Sequence, residues 1–584
     1  MDTPTYNWKS LQQLRDPFND AVNYKSRQEK QFFNKIFLRT QDLFECLKPQ
    51  VYFLIGEKGS GKTAYATYLE NNEIERHRCK LSTMTETQYK RFIALKRNGK
   101  LEYSDYANIW RPMLLAMAAQ AIVAKSKGFI SGITGKFNAL EKEIESFNGR
   151  ALNPEVEVAF ELVTGVKDIF TLGGKHIKYN AEEAVTATDK SEVIKHHLLD
   201  VERRLKEAIS ELKLSHNHVL FIDGIDYRPE AVPYTDYLEC IKGLGEAAWQ
   251  LNCDFFSNIR DSKGRIKVVL LVRPDVFHSL NLYNSNSRLR DNAILLDWST
   301  TEAQWKQSKL YEAADRYFSS QQNFTPENLE AADHYLSASG SNDIFKQFLR
   351  RSFQKPRDLL TLIKIAKDVS IRRLARGHEN RIEMDVIRNA QFTKEYADYM
   401  LGEARNFAGF YMTQSDFDKF IKLFQYFDGR SDFEIQDFRE AFNGFKNWIN
   451  GESVSAVEYI RDPEALLQFF YDVNIIGYRE NVGEGDRHYH FAYRERTLTN
   501  VAPKLKHGAS MMINPGIAKA LDIGLRTKPT SAKKEERKRS RHRDGGGQSA
   551  NSPRAEVPVG QTPASKSKRK RRWRKPKNTP GAPT

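Results

Sequence analysis

Val51-Tyr52-Phe53-Leu54-Ile55-Gly56-Glu57-Lys58-Gly59-Ser60-Gly61-Lys62-Thr63 constrains the fold of this chain more than any other stretch. Apolar, strand-prone residues run into Gly56-x-x-x-x-Gly61-Lys62-Thr63, and residues 64–70 continue with no helix breaker. Glycines at 56, 59 and 61 let the backbone curl until its N–H groups converge on one anion. The helix that follows aims its positive pole at the same place. Gly56, Glu57, Lys58, Gly59, Ser60, Gly61, Lys62 and Thr63 are therefore the candidate cradle for nucleotide phosphates. Lys62 supplies a point charge for the terminal phosphates, and the Thr63 hydroxyl is a ligand for Mg²⁺.

The second anchor is Val219-Leu220-Phe221-Ile222-Asp223-Gly224-Ile225-Asp226. A short apolar run ending in Asp is how a buried parallel strand presents a carboxylate at its C-terminal edge. Asp223 is thus the candidate carboxylate on the Mg²⁺ side, acting through water. Asp226 is the candidate to orient an attacking water; the competing reading is a turn residue, since Asp and Gly favour turns. Lys267–Val272 reads as a third buried strand, ended by Pro274, with Arg273 placed to sense the terminal phosphate. Ala293–Trp298 reads as a fourth buried strand, and Arg288 and Arg290 stand just before it. Either arginine is a candidate finger reaching a neighbouring copy, with a solvated or salt-bridged arginine as the alternative. Further on, Pro356 suits the first turn of a helix, from which Arg357 can swing over the nucleotide.

The 584 residues allow three or four domains of about 150 residues each. No run approaches the roughly 18 uncharged apolar residues of a membrane span, and the N-terminus has no signal-peptide pattern. Cys46, Cys79, Cys240 and Cys253 are scattered, which argues for a reducing, cytoplasmic setting and against a disulfide frame or zinc site. The net charge is +16, but residues 526–584 carry 19 Lys and Arg against 4 Asp and Glu, so the body is nearly neutral. That tail cannot bury enough apolar area to fold. It can neutralise DNA or RNA phosphates, with Trp573 available to stack on a base, or it can be merely a solvated tail.

Residues 1–50 form a helical lead-in with Phe32, Phe33, Ile36, Phe37 and Leu43 on one face, packing beside the core or contacting adenine. Residues 51–300 are the core, with a short strand near 80–82 and a helical insertion at about 85–215. Within the insertion, helices are expected over 88–97, 103–125, 136–147 and 190–212, with 165–174 looser. Residues 301–395 read as helices throughout. Residues 396–525 form a separate module of Phe-rich helices followed by a hairpin around Ile475–Tyr478 and Tyr489–Tyr493, the order of a winged helix.

These elements in this order resemble the ASCE division of P-loop ATPases. Asp223-Gly224-Ile225-Asp226, Arg273-Pro274-Asp275-Val276-Phe277 and Lys355-Pro356-Arg357-Asp358 look like the AAA+/STAND group. Gly56–Ala66 and Leu296–Trp298 are also similar to a little-described set of bacterial P-loop ATPases. The resemblance covers about residues 15–520 and leaves out the tail. It implies an α/β, RecA-like parallel-sheet core, a helical lid and a C-terminal winged helix. By the same resemblance Lys62 and Thr63 bind phosphate and magnesium, Asp223 is the acidic-strand residue, and Arg273 and Arg357 are first and second sensors. Gly224 stands where typical AAA+ enzymes carry Glu, which implies a slow switch ATPase; STAND-type members serve in signalling or phage defence. With no Asn-Lys-x-Asp at the expected strand end, ATP is preferred to GTP. The rival expectations are a nucleic-acid-binding protein that uses ATP as an effector, and a scaffold that holds nucleotide without hydrolysing it.

Overall fold

The computed structural model describes residues 6–84, 105–127, 138–150, 187–230, 232–336, 343–374, 380–482, 486–497 and 500–524. The expectations placed on 88–97, on 165–174 and on the basic tail lie outside them.

Five strands make an all-parallel sheet: β1 (Phe53–Ile55), β2 (His77–Thr83), β3 (Asn217–Asp223), β4 (Ile266–Val272) and β5 (Ala293–Leu295), in the order β2-β3-β4-β1-β5. Parallel strands need crossovers, and helices supply them. Lys62–Asn71 links β1 to β2, Asp105–Lys127 and Ala187–Ser210 lie between β2 and β3, and Tyr234–Gln250 links β3 to β4. Alternate side chains go to opposite faces. Val219, Phe221, Val269 and Leu271 join one buried core with the Lys62–Asn71 helix. Leu220, Ile222, Val268 and Leu270 join the other, with Trp110, Leu114, Ala118 and Ile122 of the Asp105–Lys127 helix. Both faces being covered explains why β3 and β4 read as continuous apolar runs.

β5 departs from the expectation of a buried strand. It pairs only with β1, at the sheet edge, and its three residues are half-buried. The apolar run announces a strand but says nothing about how many neighbours it has.

The first core continues without a break through the helices of residues 309–408 into the C-terminal residues. The helix Ala390–Ala408 runs across the position where a boundary at 395/396 was expected. Beyond it, Gln414–Phe420, Ile435–Ile449 and Pro463–Asp472 pack through buried Phe417, Phe438, Phe445 and Phe470. A second sheet of four strands follows, built from β6 (Asp432–Phe433), β7 (Ile476–Val482), β8 (Asp486–His490) and β9 (Ser510–Ile513), in the order β6-β9-β7-β8. The expected hairpin is present as β7–β8, but its second strand ends at His490, and Ala492 and Tyr493, expected in that strand, lie in the short helix Ala492–Glu495; β9, in the middle of the sheet, has no sequence signal beyond Ser-Met-Met-Ile. All described residues fall in one compact unit, 1–526. Among them no helix is long and apolar enough to cross a membrane.

The crossing of Asp105–Lys127 over Tyr234–Gln250 depends on one missing methyl group. A Cβ at Gly243 would lie 2.4 Å from the Tyr106 Cβ, while nearby Trp110 Nε1 donates to the Cys240 carbonyl at 2.9 Å. Gly243→Ala therefore forces the helices apart and costs about 1–3 kcal/mol of stability in urea unfolding; an unchanged midpoint would contradict this crossing.

Candidate functional site

The parallel order sets the C-terminal ends of β1, β3 and β4 along one edge of the sheet, with Ile55 beside Val272. The loop 56–61 leaves β1 there and enters the helix Lys62–Asn71. Gly59 and Gly61 have φ of +86° and +98°, a region that L side chains disfavour. The loop is pinned from outside: Trp298 Nε1 donates to the Ser60 carbonyl at 2.8 Å, and Gly56 N–H donates to the Val272 carbonyl at 3.2 Å. Ser60 Oγ is buried without a hydrogen-bond partner. Trp298 has a structural task in the loop that its place at a strand end did not disclose.

Lys62 Nζ donates to the carbonyls of Gly56 at 2.8 Å and Glu57 at 3.4 Å, and lies 3.2 Å from Asp226 Oδ2. Thr63 Oγ1 donates to Asp223 Oδ2 at 2.6 Å, and Asp223 Oδ1 accepts from Gly224 N–H at 2.8 Å. Burial pushes the Asp223 carboxyl above its usual range, against the Thr63 hydrogen bond and the Lys62 charge. A hydroxyl and a carboxylate meeting this way offer hard oxygen donors to a cation that keeps most of its other ligands as water or phosphate, which fits Mg²⁺. Asp226 also accepts from the Arg273 N–H at 3.0 Å, so its carboxylate ties the end of β4 to the loop lysine.

The arginines divide. Arg273 brings its backbone to the site but not its guanidinium. That group is fully buried, gives Nε to Asp275 Oδ1 at 3.0 Å, and lies 3.9 Å from the centre of the Phe407 ring. Arg357 does reach the site: its N–H donates to the Gly59 carbonyl at 3.4 Å, and its guanidinium is held by Glu403 at 3.5 Å and the Asn19 carbonyl at 3.2 Å. Arg288 forks onto both oxygens of Glu246 at 3.1 Å and stacks on Trp249, which makes it a salt-bridged structural arginine. Arg290, on the same helix, is exposed.

A cavity of about 290 Å³ opens over the loop. Its lining joins the polar loop residues Lys58, Lys62, Thr63, Asp223 and Asp226 with the apolar Tyr24, Phe33, Ile36, Phe37 and Tyr317. The lead-in therefore packs beside the core and also walls the cavity. The Glu57 carboxylate accepts from Arg496, 439 residues later, at 3.0 Å. No sequence signal pointed to Arg496.

Asp223 sits in the fold with a raised pKa, so the native state holds its proton more tightly than the unfolded chain. Its contribution to stability falls as the pH rises from about 4 through that raised value. Asp223→Asn should therefore melt higher than the wild type at pH 7 without ligand, with the gap closing toward pH 4, while losing any response to Mg²⁺. A lower melting temperature at pH 7 would contradict it. Similarity to known proteins adds nothing to this geometry: no family model matches the chain, and no curated protein matches its sequence.

Proposed function

We propose that this protein is a Mg²⁺–ATP-dependent switch ATPase of the P-loop type, with a RecA-like core, a helical lid and a winged-helix-like C-terminal module, working in the cytoplasm. The observation that carries the reading is the 2.6 Å contact of Thr63 with Asp223, beside a lysine held at a glycine-rich turn. The strand order supports it, because β1 lies between β4 and β5 and so opens a crevice at the C-terminal edge. The apolar residues lining the cavity suit a base, which agrees with an adenine nucleotide.

The chain's own groups have defined tasks in this reading. Lys62 exchanges Asp226 and two carbonyl oxygens for the terminal phosphates. That exchange frees the Asp226 carboxylate to hold a water in line with the γ-phosphate. Thr63 and Asp223 would hold Mg²⁺, which when bound neutralises charge developing on the phosphates. Arg357, at the start of the lid helix Pro356–Leu374, leaves Glu403 for the triphosphate and draws the lid down. Groups that gain contacts only with the γ-phosphate distinguish the triphosphate state from the diphosphate state. Arg290 rather than Arg288 is the arginine free to act on a neighbouring copy if the closed state self-associates.

Nucleic-acid binding is the second reading, and the charge of residues 526–584 favours it. The helix Pro463–Asp472, which precedes the hairpin, carries Glu464 and Asp472 and no Lys or Arg, and is poorly suited to a phosphate backbone. This reading therefore rests on the tail.

Lys62→Ala should abolish nucleotide binding, read as the loss of the ATP-induced rise in melting temperature. Asp226→Ala should still bind but release phosphate about 10²-fold more slowly or worse. Normal hydrolysis by Lys62→Ala would refute the assignment, and binding without phosphate release by the wild type would leave a non-hydrolysing scaffold. Removing residues 526–584 should abolish salt-sensitive DNA or RNA binding and leave ATP binding intact; unchanged nucleic-acid binding would take the tail out of the account.

A further inference from the structure

A carboxylate inside a phosphate-binding loop is electrostatically the wrong group. Glu57 is one of the loop's variable residues, and it lines the same cavity as Lys62. Its negative charge opposes any polyphosphate bound there unless a cation cancels it. Two cations do so, and neither comes from the core. Arg496, in the segment after the C-terminal hairpin, gives Nη1 to Glu57 Oε1 at 3.0 Å; Lys355, just before the lid helix, lies 3.8 Å from Oε2. Arg496 is itself held in place. Its Nη2 donates to the Asp472 carbonyl at 2.7 Å, and its guanidinium lies 4.9 Å from the centre of the Phe407 ring that also receives Arg273.

The pair is poorly built for stability alone. Glu57 Oε2 and Arg496 Nε are both buried without a hydrogen-bond partner. A buried ion pair left partly unsatisfied is usually no better than apolar side chains of the same volume. Burial pushes the Glu57 carboxyl up, and Arg496 and then Lys355 pull it below its usual range, so it stays ionised. The arrangement thus keeps a charge in the loop that Arg496 of the C-terminal module and, at a longer distance, Lys355 neutralise.

We propose that Arg496 is a positioning residue for nucleotide: by cancelling the charge of Glu57 it makes the loop competent for a polyphosphate, so that ATP affinity reports whether the C-terminal module is docked. The inference rests on the phosphate reading of the loop. Linkage makes the coupling reciprocal, and bound nucleotide holds the module down by the same factor. A partner or modification that draws the segment around Arg496 away therefore expels nucleotide.

The test is titration of the full chain with Mg²⁺ and a slowly hydrolysed ATP analogue. Arg496→Gln should weaken binding about tenfold or more, and Arg496→Lys, which keeps the charge, should stay within about threefold of the wild type. Glu57→Gln should bind at least as tightly as the wild type. Combined with Arg496→Gln, it should restore wild-type affinity, a rescue that a purely structural role of Arg496 does not give. The inference is overturned if Arg496→Gln binds like the wild type, if the double variant stays as weak as Arg496→Gln, or if Glu57→Gln alone loses affinity. That last arm needs no change at Arg496 and holds even where Arg496→Gln fails to fold. A wild type that binds no nucleotide removes the phosphate reading and this inference with it; wild-type binding with an unaffected Arg496→Gln removes this inference alone.

Discussion

A hydroxyl at the first turn of one helix and a carboxylate at the end of a strand 160 residues later meet at 2.6 Å. Everything in the core is arranged to allow that meeting. β1 and β3 do not touch; β4 lies between them and pairs with both, so the parallel register fixes the distance from Thr63 to Asp223. The two apolar cores on either side hold β4 fully buried and hold that register. A slip by one residue would turn every alternate side chain to the wrong face, which makes the geometry expensive to lose.

The same buried charges extend outward from the loop. Lys62 meets Asp226, Asp226 holds the Arg273 N–H, Arg273 pairs with Asp275, and Arg496 reaches Glu57. Burial pushes the Asp275 carboxyl up, but Arg273 and then Arg496 hold it well below the usual carboxylate range. Phe407, on the long helix that crosses from the middle of the chain toward the C-terminal residues, receives both guanidinium groups. Each member compensates another, so removing one leaves an unpaired charge in the interior, and such losses are felt at a distance.

What local sequence could disclose follows the reach of each interaction. β3 and β4 were legible because burial on both faces demands a continuous apolar run, and the loop was legible because its turn demands glycines at positive φ. Ala293–Trp298 looked the same as a central strand, although only Ala293–Leu295 form one, at the sheet edge and half-buried. Arg273 was placed correctly at a strand end, but its direction depended on Asp275 two residues on, which captures the guanidinium before a phosphate can. Arg288 and Arg290 were indistinguishable in sequence; Glu246 and Trp249, far back in the chain, separate them. Arg496 and Trp298 reach the loop only through tertiary packing, and no spacing rule connects residues 439 positions apart.

The central claim is that Lys62, Thr63 and Asp223 surround one magnesium-bound triphosphate. Calorimetric titration of the full chain with a non-hydrolysable ATP analogue, with Mg²⁺ present and again with Mg²⁺ chelated, tests it most directly. One saturable site per chain, weakened about tenfold or more by chelation, is the expected result. No saturable binding under either condition, or binding indifferent to Mg²⁺, would contradict it.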